Sequence, residues 1–340
     1  MYTNSFIIHN SPFLIETPFF SVVIPTYNRA NLIVATLDSI FNQKLPILSK
    51  LESETIFYEV ILVDDGSTDN TKQIIKSTYL DKNSDKFESR LKYFQKENEE
   101  RSVARNFGIS KAKGNFILFF DSDDFMQSHH LQTLYTAIVN NPKAQFLATK
   151  FEFEVEVFNG KKNEKRIFPS HITHLKEGFY DYKLVLEGSY FGTLVCFDRK
   201  LIDTKIGLKP FPIEFNICED WIFLFRNLYL HNIPIYVIDK TTITVNDHPN
   251  RSMADNQKVI LARLEATSFL ENELSLSDSE LKTLKGYSYQ FCAVHSYIDK
   301  NKKQAFGFWK KMVSYLGYTK NTIILGIKIL VGKSFIEKLK

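Results

Sequence analysis

Three short apolar runs, each stopping at a polar string, constrain this chain more than any other feature. Residues 19–25 read FFSVVIP and lead into Thr26-Tyr27-Asn28-Arg29. Residues 58–63 read YEVILV and lead into Asp64-Asp65-Gly66-Ser67. Residues 116–120 read FILFF and run straight into Asp121-Ser122-Asp123-Asp124. Continuous β-branched and aromatic runs of this length suit strands buried on both faces of a parallel sheet. Helical patterns separate them. Leu32, Ile33, Leu37 and Ile40 follow the first run, with Asn28 or Asn31 as the cap. Ile74 and Ile75 follow the second, with Ser67 or Thr68 as the cap. A weaker strand at 91–95, a helix at about 100–112 closed by Gly114 and a helix at about 128–140 complete a β-α-β-α-β-α-β alternation. That order predicts an α/β fold with a mostly parallel sheet. In such sheets ligands lie beyond the carboxyl ends of the strands, where the three polar strings fall.

From residue 144 the pattern changes. Strands are expected at 145–158 and 165–168, with a polar turn at Asn159–Lys162, and at 193–197, 234–238 and 241–246. Helices are expected at 199–204 and 218–230, and beyond 255 in four segments, 256–273, 278–298, 302–316 and 321–339. We therefore expect an N-terminal extension (1–17), a domain over 18–250 and a helical region over 251–340. The 30 Phe and 16 Tyr are read as core material rather than as a ligand box. Cys196, Cys218 and Cys292 lack metal-ligand spacing and fit buried thiols in a reducing compartment. The start of the chain lacks the pattern of a secretory signal, and no run is long enough to span a bilayer. A cytoplasmic location is expected.

Several constellations carry chemistry, each beside a plainer reading. The cluster Asp121, Asp123, Asp124 suits a hard divalent cation that also takes phosphate oxygens, or equally an acidic turn before a helix. Asp65 can accept a base N–H, or serve the turn that Gly66 makes. Arg101 and Arg105 share a helix face and suit phosphate or carboxylate, or pair with Glu99 and Glu100. Glu219-Asp220-Trp221 opens a helix as a candidate general base, or as a cap. His248 and Arg251 place a titratable ring and a cation in one turn, or on a solvated surface.

In order, these strings resemble the family-2 inverting glycosyltransferases of GT-A fold. The matching segments are SVVIPTYNRA, VILVDDGSTDNT, RSVARNFGISKAKGNFILFFDSDD and CEDWIF, spread over roughly 18–250. The resemblance implies a Rossmann-like sheet flanked by helices, with a nucleotide-binding half (18–125), an acceptor-binding half (126–250) and an appended helical C-terminal region. It implies transfer of a sugar from a nucleotide diphosphate, a UDP-sugar by expectation, to a hydroxyl of a glycan or lipid-linked glycan in cell-surface polysaccharide synthesis. No nucleic-acid partner is expected. Thr26, Tyr27 and Asp65 would line the base and ribose, with Pro25, Asn28 and Arg29 in the same segment. Arg101 and Arg105 would border the nucleotide, with Asp121 and Ser122 on it. Asp123 would hold Mn²⁺ or Mg²⁺, supported by Asp124. Asp220 would be the base in a single displacement, with Glu219 and Trp221 beside it and His248 and Arg251 toward the diphosphate. Many relatives carry Gly where this chain has Glu100, so the backbone there is a point of departure. The alternative within the same fold is a nucleotide-sugar-binding scaffold without catalysis. The intact Asp121, Asp123 and Asp220 speak against it.

The charge is uneven. Residues 301–340 hold nine lysines and one acidic residue, Glu337, in a chain of net charge +4. Residues 322–332 (TIILGIKILVG) are apolar with a single lysine. The tail reads either as a helix lying on an anionic membrane surface or as one packed on protein.

Overall fold

The structure is a computed structural model and describes residues 18–45, 57–81, 89–158, 162–248 and 251–332. The expected N-terminal extension, the turn at 159–161, Pro249-Asn250 and the chain beyond 332 lie outside the described residues. The chain divides into two units. The first takes in residues up to Phe179, then Phe191–Phe211 and Pro234–His248. The second takes in Tyr180–Tyr190, Pro212–Ile233 and the chain from Pro249.

The first unit is built on a mixed sheet. Strands β1 (Phe20–Thr26), β2 (Tyr58–Asp64), β3 (Leu91–Gln95) and β4 (Phe116–Phe119) run parallel in the order β3-β2-β1-β4. Val22 lies opposite Val60 on one side and Leu118 on the other. Every residue of β2 is buried, as the continuous apolar pattern requires. Between these strands lie α1 (Ile33–Phe41), α2 (Thr71–Ile75), prolonged by a π-helical turn (Lys76–Leu80), and α3 (Glu100–Lys111). Then follow β5 (Phe125–Met126), α4 (His130–Asn140), β6 (Phe146–Phe158), β7 (Asn163–Pro169), β8 (Gly178–Tyr180), β9 (Val195–Asp198) and, after a helix of the second unit, β10 (Ile235–Asp247). Strand β9 inserts between β4 and β6, antiparallel to both. The two strands expected at 234–246 are one, β10, parallel to β6 and irregular between Ile238 and Ile243.

Glu59 of β2 is a charge buried inside this sheet. Glu59 accepts hydrogen bonds from Ser21 Oγ (2.6 Å) and the Lys113 amide (2.7 Å) and pairs with Lys92. The Gly114 amide donates to Ser21 Oγ at 2.8 Å. Gly114 therefore does not cap α3, whose C-cap is Ala112. It lets the chain pass close to β1: a Cβ there would lie 2.5 Å from the Ser21 nitrogen.

The second unit is helical: α5 (Glu219–His231), α6 (Asn256–Glu273), α7 (Asp278–Ile298), α8 (Lys302–Leu316) and α9 (Lys320–Val331). Side chains set the starts of the last four. Asp255 caps α6, Ser277 and Glu280 form a capping box on α7, Asn301 caps α8 and Thr319 caps α9. Ala293, Ala305 and Ile329 form a buried centre, with Phe306, Trp309 and Leu325 packed around it.

Candidate functional site

In the first unit the strand order reverses between β1 and β4, the switch point where open α/β sheets bind ligands. Thr26 ends β1 at this point. It is buried, and its Oγ1 has no hydrogen-bond partner among the described residues. A buried orphan hydroxyl is costly unless something completes it. Tyr27 is next and is 43% exposed, an aromatic face open at the mouth of the sheet. Pro25 is half-buried in β1, opposite Val63.

The turns after β1 and β2 are stitched together. Asn28, at φ +52°, accepts hydrogen bonds at Oδ1 from the Thr68 and Asp69 amides (2.8 and 3.3 Å), and its own amide donates to Ser67 Oγ at 2.9 Å. The Arg29 amide donates to Thr71 Oγ1 at 2.9 Å and the Ala30 amide to Asp69 Oδ2 at 3.1 Å. Burial would raise the Asp69 carboxyl, but hydrogen bonds from Thr71 and Ala30 outweigh it and hold it below its ordinary value. Neither Asn28 nor Ser67 caps a helix; both join loops. Asp64 is a brace, accepting from the Ser67 amide (2.8 Å) and Tyr93 Oη (2.6 Å). Asp65 Oδ1 takes Lys96 Nζ (2.8 Å) and the Glu99 amide (3.1 Å), while its Oδ2 makes no hydrogen bond among the described residues. Gly66, at φ +78°, passes against Asn98, leaving no room for a Cβ.

The acidic turn after β4 draws groups from distant parts of the chain. Asp123 Oδ2 lies 3.3 Å from Arg29 Nη2 and 2.9 Å from His248 Nε2. Asp124 Oδ1 accepts the Asn246 amide at 3.0 Å, which fixes the end of β10 and so delivers His248. Arg105 is buried, and its Nη2 meets Asp121 Oδ1 at 3.0 Å while its guanidinium lies over the Phe211 ring. Enclosure would raise the Asp121 carboxyl, but the Arg105 and Arg101 charges outweigh that and hold it below its ordinary value. The shared face of Arg101 and Arg105 thus acts on one carboxylate. Ser122 is buried in the turn.

A divalent cation can be tested against these residues. Asp123 Oδ2 and His248 Nε2, a hard oxygen and an imidazole nitrogen, lie side by side at 2.9 Å, with Arg29 Nη2 on the same oxygen at 3.3 Å. Three or more His, Cys, Asp or Glu do not gather into a closed cage among the described residues. Two protein donors with the rest supplied by phosphate oxygens is the usual arrangement for a cation shared with a nucleotide, so the donor set fits.

In the second unit, α5 begins after Cys218, at φ +68°. Asp220 Oδ1 accepts its helix's own Trp221 amide at 2.8 Å, and Oδ2 accepts Ser189 Oγ at 3.0 Å. Glu219 is buried. Trp221, expected on the acceptor side, is instead a packing residue. It is 1% exposed, and its indole N–H donates to the Val185 carbonyl at 2.7 Å. Under it lies Arg263, 2% exposed, with its guanidinium 3.5 Å from the indole centroid. Arg263 Nε donates to Ser288 Oγ at 3.1 Å and Nη2 to the Glu187 carbonyl at 3.4 Å. Burial lowers this guanidinium to about 10, opposed by Cys218, Cys292 and Asp220. Arg251 stands at the start of the 3₁₀ turn Ser252–Ala254.

Lys96 and Arg263 are not singled out by the sequence, whereas Ser189 falls in GSYFGT (188–193), a segment open to acceptor contacts or to core packing. Arg263 sits in a helix with no local sign of its role.

The model of the family described as "Glycosyl transferase family 2" matches residues 21–202. The chain is 29% identical to the GalNAc(5)-diNAcBac-PP-undecaprenol beta-1,3-glucosyltransferase of Campylobacter jejuni, over 95% of this chain and 96% of that one. It is 25% identical to the hyaluronan synthase of Pasteurella multocida over 91% of this chain, which is 36% of the synthase. Among solved structures, S. aureus TarS 1–349 in complex with UDP-GlcNAc matches with TM-score 0.61 at 21% identity, covering 90% of this chain and 83% of that chain. The mannosyltransferase PcManGT of Pyrobaculum calidifontis, in complex with GDP-Man and Mn²⁺, matches with TM-score 0.55 at 16% identity, covering 96% and 90%.

Proposed function

The chain belongs to glycosyl transferase family 2 and has the GT-A fold, and from that premise we propose that it transfers a sugar from a nucleotide diphosphate donor, a UDP-sugar, to a hydroxyl of a glycan or lipid-linked glycan. The setting is cell-surface polysaccharide or oligosaccharide synthesis, as the activities of its relatives suggest. The observation that carries the reading is the convergence at the β1/β4 switch point. Arg29 and His248 meet Asp123 there, beside an unpartnered Thr26 hydroxyl and an exposed Tyr27 ring.

Each side chain then has a task. Tyr27 offers its face to the base, and Thr26 Oγ1 and Asp65 Oδ2 take its polar edge and the ribose. Asp121, kept anionic by Arg105 and Arg101, accepts from ribose hydroxyls. Arg29 and His248 suit the negative charge of the diphosphate, and the family resemblance adds Arg251 to that role. Asp123 and His248 would hold Mn²⁺ or Mg²⁺, which when bound supplies Lewis-acid neutralisation of the departing diphosphate.

Asp220 takes the proton of the acceptor hydroxyl as that oxygen attacks the anomeric carbon. The bond from that carbon to the diphosphate oxygen breaks, the diphosphate leaves with the electron pair, and the anomeric configuration inverts. The Ser189 hydroxyl and the Trp221 amide hold the two carboxylate oxygens, which fixes the aim of the base.

A thermal-shift screen of nucleotide sugars with Mn²⁺, followed by a transfer assay on the stabilising donor, tests this. A UDP-sugar is expected to raise the midpoint and to be consumed with inversion. Asp220→Asn should keep the donor-dependent shift and lose transfer by about 10³-fold or more, the usual scale for a general base combined with correct protonation. Donor binding without turnover by the parent protein would sink the enzymatic reading in favour of an inactive scaffold.

A further inference from the structure

We propose that the outer face of α9 docks this chain on an anionic membrane surface, with isoleucines entering the headgroup boundary and lysines meeting lipid phosphates. The sequence of α9 is apolar nearly all round, and the structure divides that apolarity between two jobs. Thr322, Gly326 and Ile329, at helical spacing, are buried against the unit's own core. The opposite stripe, Ile323, Ile324, Ile327, Leu330 and Val331, is left exposed, with Ile327 at 56% and Leu330 at 58%.

The helix is not able to roll over and hide that stripe. Trp309 Nε1 donates to the Thr322 carbonyl at 2.8 Å, and the indole lies against Gly326, where even a Cβ would come within 2.8 Å of the ring. Lys302 Nζ donates to the Leu330 carbonyl at 2.6 Å and clamps the other end. The apolar face is thus held outward by contacts on the inward one.

Charge selects the occupant. Residues 301–332 carry six lysines, 302, 303, 310, 311, 320 and 328, and no Asp or Glu. Lys320 and Lys328 are exposed on α9 itself. A second copy of the chain laid face to face on this stripe would bring the same lysines together, and that repulsion opposes self-association. An anionic lipid leaflet offers phosphates for the lysines and acyl chains for the isoleucines. None of the described helices is long and apolar enough to cross a membrane, so the contact is with the surface.

The test is co-sedimentation of the full chain with vesicles of phosphatidylglycerol and phosphatidylcholine against vesicles of phosphatidylcholine alone. Binding is expected to the anionic vesicles only, and to fall away in roughly 1 M salt, where the Debye length is about 3 Å. Ile327→Glu should cut vesicle binding by about tenfold or more, because it replaces an inserted apolar group with a like charge to the lipid. Its exposure means the fold is untouched, and an unchanged donor-dependent thermal shift checks this independently of docking. Lys320→Glu with Lys328→Glu should lower binding at low salt. If Ile327→Glu binds anionic vesicles as the parent does, the proposal falls. It falls equally if the parent is oligomeric by light scattering and Ile327→Glu makes it monomeric with vesicle binding unaltered, for then a second copy covers the face.

Discussion

Glu100 opens α3 at φ +73°, a conformation that costs an L-residue about 1–2 kcal/mol and glycine almost nothing. The chain thus places a glutamate in a left-handed turn, a conformation that glycine adopts freely. That turn matters because the next residue, Arg101, and Arg105 a helical turn on, set the charge environment of Asp121. Glu100→Gly should stabilise the protein by about 0.5–1 kcal/mol, the relief of strain less the added entropy of the unfolded glycine. A higher urea midpoint at unchanged m-value is the expected reading, and a lower midpoint would show that the Glu100 side chain compensates its own backbone. Much of the site at this scale was legible, because Asp121, Asp123 and Asp220 stand in short conspicuous strings. The partners of those residues were not. Arg29 and His248 reach Asp123 from far away in sequence, and Arg263 reaches Trp221 from another helix, so local spacing carries no trace of either contact.

At the scale of elements, β1, β2 and β4 announce themselves because strands buried on both faces need unbroken apolar runs. Strand β9 does not say where it pairs: its antiparallel place between β4 and β6 is set by long-range hydrogen bonds. Gly114 shows how a correct residue can be given the wrong reason. A glycine just after a helical pattern reads as a cap, yet here it serves strand spacing. A Cβ at this position would meet backbone, the Ser21 nitrogen at 2.5 Å and the Phe20 carbonyl carbon at 2.6 Å, neither of which can swing aside as a side-chain tip can. Gly114→Ala should cost about 1–3 kcal/mol, the usual penalty of overpacking. It should also weaken the Gly114–Ser21–Glu59 chain that satisfies the buried carboxylate. Urea unfolding measures the cost, and a loss under about 0.5 kcal/mol would mean that β1 and the α3–β4 turn can part without penalty.

For the whole molecule the clearest consequence is how stability follows pH. His130 is buried, and burial, then the neighbouring His129, pushes its imidazole down to about 3 from 6.5. His130 Nδ1 lies 2.7 Å from Thr242 Oγ1, itself 2.7 Å from Thr149 Oγ1, so a second proton on the ring would be buried as charge. His129, His171 and His295 are lowered as well, burial being the largest cause in each. The sign follows from proton counting. Between pH 6.5 and the folded value, the unfolded chain holds protons that the folded chain refuses, so stability is fully present above pH 6.5 and is lost as pH falls. His130 alone should contribute a slope of about 1.4 kcal/mol per pH unit in that window. Carboxylates held down in the fold, Asp69 and Glu280 among them, add their own loss only at lower pH, below their ordinary values of 3.8 and 4.5. Urea midpoints between pH 7.5 and 4.5 should therefore drop before the carboxylates titrate. His130→Gln should be less stable at pH 7.5 but should show a visibly shallower slope. A slope as steep as the parent's would assign the acid sensitivity to other groups.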